Sequence, residues 1–193
     1  ADGVEIRRVN LLNESDRPRR LRLTSYGEVV LAEQAVDRRH PAFNKLFIES
    51  EYLPKENALV FQRRPRSADE KPVVMVHALI VEAGRRVTGD HESDRAKFLG
   101  RSRTMHNPLA LQNVNRHLSD TTGGTLDPIL SLAQEIDLLP HAKTRVTFLT
   151  LAAPSRAEAL EKLSHYQTGQ SIYRAFDEAR ARDAVGVHVD VDV

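Results

Sequence analysis

Cysteine and tryptophan are both absent from this 193-residue chain. Without cysteine there are no disulfides, no thiolate metal sites and no thiol nucleophile, and the composition fits a reducing compartment. Aromatic residues make up only 5% of the chain, too few for the flat stacking platforms of a typical sugar-binding surface. Charge of one sign is also missing. Twenty-eight lysines and arginines against twenty-seven acids leave a net charge of +1, so nothing calls for a polyanionic partner such as nucleic acid. No run approaches the roughly 18 apolar residues of a spanning helix, and the N-terminus lacks the basic-then-apolar pattern of a signal peptide, so the chain reads as soluble. Nucleophile elbow, P-loop and dinucleotide fingerprint are all missing, and no cofactor is indicated.

What is present suits one well-buried domain: 40% hydrophobic and 28% charged residues. Val4 to Leu11 and Arg20 to Tyr26 alternate apolar and polar positions around the turn Asn13–Pro18, which predicts a β-hairpin. Residues 32–39 are weakly helical, and His40–Phe43 reads as a loop because the residue before a proline is pushed out of the helical region. Leu46–Tyr52 and Ala58–Gln62 bracket Pro54–Asn57 as a second hairpin, and residues 62–71 read as an exposed connection. Val73–Val81 is apolar at both parities, the mark of a strand buried on both faces. Residues 109–124 are irregular and end in Thr121-Thr122-Gly123-Gly124. Beyond them Ile129–Leu138 alternates again, with Leu130, Leu132, Gln134, Ile136 and Leu138 on its more apolar face, and Lys143–Leu151 is the expected hairpin partner.

The period then changes. Ser155 and Glu158 form a capping box ahead of a helix with Ala159, Leu160, Leu163 and Tyr166 on one side. A second helical pattern, with Ile172, Ala175, Phe176 and Ala179, runs through Arg182. The expected organisation is a β-sandwich over residues 1–153, a helical linker over 154–183 and a tail over 184–193.

Chemistry-bearing clusters are few. Arg101, Arg103, His106 and Asn107 follow Gly100 in a stretch, residues 94–107, that reads as a contact loop. Gly100 permits a turn that a side chain resists, and two guanidinium forks suit sugar hydroxyls, phosphate or a partner's carboxylates, although solvated surface arginines share that pattern. Asp90, His91, Glu92 and Asp94 lack a metal-ligand spacing and read as a polar loop. His77 reads as a core histidine with one hydrogen-bond partner. His188, Asp190 and Asp192 share one strand face, an arrangement open to a metal but equally that of a frayed chain end, and no metal site is assigned.

Several segments together carry a family resemblance: residues 4–8, 11–19 and 23–26, His40-Pro41-Ala42-Phe43-Asn44-Lys45-Leu46-Phe47, Asp94-Arg95-Ala96-Lys97-Phe98-Leu99-Gly100-Arg101 and Leu126-Asp127-Pro128. Their order and spacing resemble the sandwich domain of cyclic β-1,2-glucan synthases, which belong with the cellobiose phosphorylase family of glycoside hydrolases. The resemblance implies an all-β supersandwich of galactose mutarotase-like type, here partial, with two C-terminal helices leading toward a catalytic (α/α)6 barrel. It implies a parent enzyme that makes glucan from UDP-glucose at the cytoplasmic side of the bacterial inner membrane, reaching the membrane only through other parts of that parent. The family's catalytic residues lie in the barrel, so the chain alone is expected to be inactive. The expected partners are the barrel, a β-glucan if the domain is instead an independent carbohydrate-binding module, and a second copy in a homodimer.

Overall fold

The apolar run expected to be buried on both faces forms β6 (Val74–Val81) in the computed structural model of the protein, which describes residues 3–65, 70–81, 89–112 and 117–185. Its alternation sets the layers. Val74, Val76 and Ala78 face a core shared with a C-terminal helix, while Leu79 faces the core between two sheets. In the six-stranded sheet the order is β1 (Val4–Leu12), β10 (Lys143–Ala153), β6, β5 (Ala58–Arg63), β4 (Ile48–Leu53) and β8 (Gly123–Gly124), antiparallel throughout. The facing sheet is organised on β9 (Pro128–Leu138), which pairs with β2 (Arg19–Thr24), β3 (Gly27–Glu28) and β7 (Asp90–Asp94). Leu59, Phe61, Leu132, Ile136, Val146 and Phe148 fill the space between the sheets, and the outward Glu135 and Asp137 of β9 are exposed as the alternation predicts.

Two of the expected hairpins are corrected. β1 pairs with β10 and β2 with β9, so residues 4–12 and 19–24 lie in different sheets. β9 and β10, joined by a short turn, likewise diverge into opposite sheets. Alternation marks a strand but does not choose its neighbour; here each inward face is buried by crossing from one sheet to the other. Asn13 joins the two crossings. Its Nδ2 donates to the carbonyls of Arg17 at 2.8 Å, Leu139 at 2.9 Å and Leu138 at 3.2 Å, and its Oδ1 accepts from the Ser15 hydroxyl at 2.7 Å. Replacing it with alanine strands buried carbonyls at both corners, so Asn13→Ala is expected to cost about 2 kcal/mol in urea denaturation. A loss under about 0.5 kcal/mol, typical of a surface site, would remove Asn13 from that role.

The other expected hairpin forms as β4 and β5, with Leu53 opposite Ala58 and Asn57 at φ 48° in the turn. Residues 34–39 form α1 (Gln34–Arg39). The expected loop at His40–Phe43 is also corrected: it opens α2 (Pro41–Lys45). His40 itself stays outside the helical region, as the following proline requires, but Pro41 takes the first helical position, where no N–H is needed.

Ser155 caps α4 (Arg156–His165), accepting the Glu158 N–H at 3.2 Å while its hydroxyl donates to the Glu158 carboxylate at 3.1 Å. Ala159 and Leu163 bury against β10 and β6. In α5 (Gly169–Val185), Ile172 is buried, and Tyr173 and Phe176 receive the Arg8 guanidinium from β1 at 4.2 and 4.5 Å.

Candidate functional site

Four of the segments that carry the family resemblance, far apart in sequence, meet through Tyr26, Lys45, Arg95 and Asp127. Lys45, last in α2, places Nζ 2.5 Å from Asp127 Oδ1. Arg95, first in α3 (Arg95–Leu99), donates from Nη1 to Asp127 Oδ2 at 3.2 Å and from Nε to the Tyr26 hydroxyl at 3.1 Å. Glu28 lies 3.8 Å from Arg95 and 4.0 Å from Lys45. Burial by itself pushes the Asp127 carboxyl up, but Lys45 and then Arg95 outweigh it and hold the group below its ordinary value. With two cations against two carboxylates, this is a clamp that fixes α2 and α3 against β3 and the start of β9. Beside it the surface is apolar: Phe43 of α2 and Leu46 just after it are about half exposed, and Leu126 is 79% exposed.

The clamp supports the arginine loop. Asp94 caps α3 by accepting the Ala96 N–H at 2.8 Å, and Phe98 is buried against Ile129 and Ala133 on the outer face of β9. The helix stops at Gly100, whose φ of 80° and ψ of 160° belong to a region that only glycine occupies readily. A Cβ there would stand 2.7 Å from Leu109 Cβ. Residues 94–107 are therefore a short helix followed by turns, where an uninterrupted loop was expected. Arg101, His106 and Asn107 are exposed, and Arg103 is half-buried with its Nη1 enclosed. The Asn107 N–H donates to the Thr104 carbonyl at 3.0 Å, and its side-chain oxygen accepts from Gln112 at 3.4 Å. The structure thus puts the four residues on one projecting loop, while among the described residues no hydrogen bond or ion pair joins them to one another.

Asp90, His91, Glu92 and Asp94 are corrected from polar loop to β7, paired along β9. Glu92 is 1% exposed and fully engaged: Oε1 accepts the Asp94 N–H at 2.9 Å, and Oε2 accepts from the Ser119 hydroxyl at 2.5 Å and the Ser119 N–H at 3.3 Å. Asp90 pairs with Arg22 and accepts from His117 at 2.8 Å, and these partners overcome the effect of burial and hold it below its usual range. His91 stacks on Tyr52 with centroids 4.0 Å apart. Among the described residues no group of three or more His, Asp or Glu is arranged to hold a metal ion. The His188, Asp190 and Asp192 tail lies outside the described residues.

In the sequence, Tyr26, Lys45, Arg95 and Asp127 stand only as parts of the family pattern, with nothing local to pair them. The available signal was a lone charge in two of these segments, Lys45 among residues 40–47 and Asp127 among residues 126–128.

A family model described as glycosyl hydrolase 94, supersandwich domain, matches residues 1–169. The chain is 35% identical over 168 residues to the cyclic beta-(1,2)-glucan synthase NdvB of Rhizobium meliloti (strain 1021), an alignment that takes in 86% of this chain and 6% of that protein. The chain therefore spans a small part of its relative's length. Because the match runs from β1 into the helices after the sandwich, over a chain folded as two packed antiparallel sheets, this chain belongs to the glycosyl hydrolase 94 supersandwich domain family.

Proposed function

We propose that the chain is the non-catalytic supersandwich domain of a cyclic β-1,2-glucan synthase. In this reading it packs on the parent's catalytic (α/α)6 barrel and presents Arg101, Arg103, His106 and Asn107 to the barrel mouth or to a subunit interface. The observation that carries the reading is the convergence of Lys45 and Arg95 on Asp127, at the first residue of the helix that leads into the arginine loop. A charge-balanced clamp has little left to bind a ligand itself, but it holds a loop and an apolar flank of Phe43, Leu46 and Leu126 in fixed relation, as a docking face needs. No described helix is long and apolar enough to cross a membrane, so attachment to the inner membrane would come from other parts of the parent.

The test pairs two measurements on Arg101→Ala/Arg103→Ala. In the full-length parent, glucan processing is expected to fall, while the isolated domain stays folded, because Arg101 is exposed, where substitutions change stability by less than about 0.5 kcal/mol, and the enclosed Arg103 Nη1 has no hydrogen-bond partner to lose. Unfolding of the domain with unaltered kinetics in the parent would make the arginines structural. Purified alone, the chain is expected to give no turnover with phosphate and β-1,2-glucan. Amide NMR shifts at residues 101–107 on adding β-1,2-glucan to the isolated chain would replace this reading with a carbohydrate-binding module.

A further inference from the structure

Guanidinium groups that are partly or fully buried are provided for elsewhere in the chain. Arg22 pairs with Asp90, Arg63 with Glu70 and Arg95 with Asp127, while Arg8 and Arg145 lie over the Tyr173 ring. Arg103 is half-buried and meets neither a carboxylate nor a ring among the described residues. Its Nη1 is enclosed without a hydrogen-bond partner, but its other two guanidinium nitrogens are not enclosed, so the Nε–Nη2 edge of the fork is open. The sequence explains why no acid reaches it from nearby: residues 95–119 contain no aspartate or glutamate, in a chain that as a whole balances 28 cations against 27 acids. Arg101, two positions earlier, is exposed and also lacks a carboxylate among the described residues.

We propose that this loop docks on an acidic protein surface, where one partner carboxylate accepts from the Nε–Nη2 edge of Arg103 and a second meets Arg101. A guanidinium edge fits the two oxygens of one carboxylate through parallel N–H···O bonds. The neighbours of the two arginines select a protein over other acceptors. Met105 in the same loop is 40% exposed, and Leu111, at the end of the turn that packs on α3, is 56% exposed. Arginine and methionine are enriched in protein interfaces, which pair apolar contact with a polar rim. A sugar would need a ring to stack on, and the single phenylalanine, tyrosine or tryptophan among residues 95–119, Phe98, is buried. A free phosphate would need several donors converging on one point, whereas Arg101, Arg103, His106 and Asn107 share no hydrogen-bonded network among the described residues. The inference rests on the proposed domain role only in placing the acidic surface in another part of the parent.

Amide NMR of the 193-residue chain tests the docking. The probes are a short peptide of glutamates flanking one leucine, the same peptide with glutamines for glutamates, and inorganic phosphate. The glutamate peptide is expected to shift residues 101–107, more weakly as salt is raised, and the glutamine peptide to leave them unmoved. Arg103→Gln should weaken binding about tenfold. Arg103→Lys, which keeps the charge and loses the fork, should weaken it nearly as much. By contrast Arg38→Gln/Arg39→Gln, on exposed arginines of α1, should leave it unchanged. Circular dichroism checks the folding of each variant, and Arg103→Lys decides the matter should Arg103→Gln not fold. The proposal is overturned if residues 101–107 do not shift, if phosphate binds there more tightly than the peptide, if either Arg103 variant binds as tightly as the wild type, or if the α1 variant loses as much. A peptide that fails while Arg101→Ala/Arg103→Ala still lowers glucan processing in the full-length parent would remove the acidic partner and leave the domain role standing.

Discussion

Between pH 6.5 and pH 4 the fold is expected to lose about 3 kcal/mol of stability through one side chain, His77. It projects from β6 into the space between the sheets, 4% exposed, with Nε2 2.9 Å from the Ser25 hydroxyl and Nδ1 2.9 Å from the Thr150 hydroxyl. The Phe148 ring lies parallel to it at 5.9 Å. Burial, and after it the nearby Arg7 charge, lowers the imidazole from 6.5 to about 4. The unfolded chain therefore takes up a proton near pH 6.5, and the folded chain only near pH 4. Stability from the neutral ring is complete above the unfolded value, falls as pH drops through the window, and is gone below the folded value. Burial also lowers His91, which adds a contribution of the same sign. Urea denaturation across this window should show the slope, and His77→Gln should flatten most of it. Equal slopes in the two proteins would show that His77 is not the group responsible.

The second large effect is expected at Gly100. Gly100→Ala puts a methyl group 2.7 Å from Leu109 Cβ in a backbone conformation closed to side chains, and neither the helix end nor the packing of residues 109–111 can relax without moving the other. A loss of about 3 kcal/mol is expected, combining backbone strain with overpacking. Thermal unfolding checks it. Gly100→Ala/Leu109→Ala separates the two causes, because trimming Leu109 leaves its Cβ in place but removes the branch that a new methyl meets at 2.9 Å. A melting temperature within a degree or two of the wild type for Gly100→Ala would show that the turn is not held as described.

The legible parts of this fold were those decided locally. The two-faced burial of β6, the exposed parity of Glu135 and Asp137, the turn at Asn57 and the cap at Ser155 all depend on residues within a few positions of one another. Strand pairing does not. Residues 4–12 and 19–24 carry the pattern of a hairpin equally well whether they pair with each other or with partners more than 100 residues away. The same distance effect hid β7. Asp90 and Glu92 look too polar for a strand until Arg22 and Ser119 arrive from elsewhere in the chain to satisfy them. At the candidate site, Gly100 announced its turn, but the support beneath the loop depended on Lys45, Arg95 and Asp127, three residues brought together only by the packed sandwich.

The position of β10 between β1 and β6 has a consequence for synthesis. The strands β4, β5 and β6 follow one another in the chain and pair in sequence, so this meander can form while the polypeptide is still emerging from the ribosome. β1 emerges before them yet must wait for its neighbour, since Val4 pairs with Leu151. At about 5–20 residues per second that wait is roughly 7–30 s. Throughout it, β1 and β6 each lack the neighbour that β10 will supply, so the nascent chain presents bare strand backbone to whatever is nearby. The last of these six strands to be made completes the sheet, and the slow step in folding is expected to be the insertion of residues 143–153 between two strands already waiting for them.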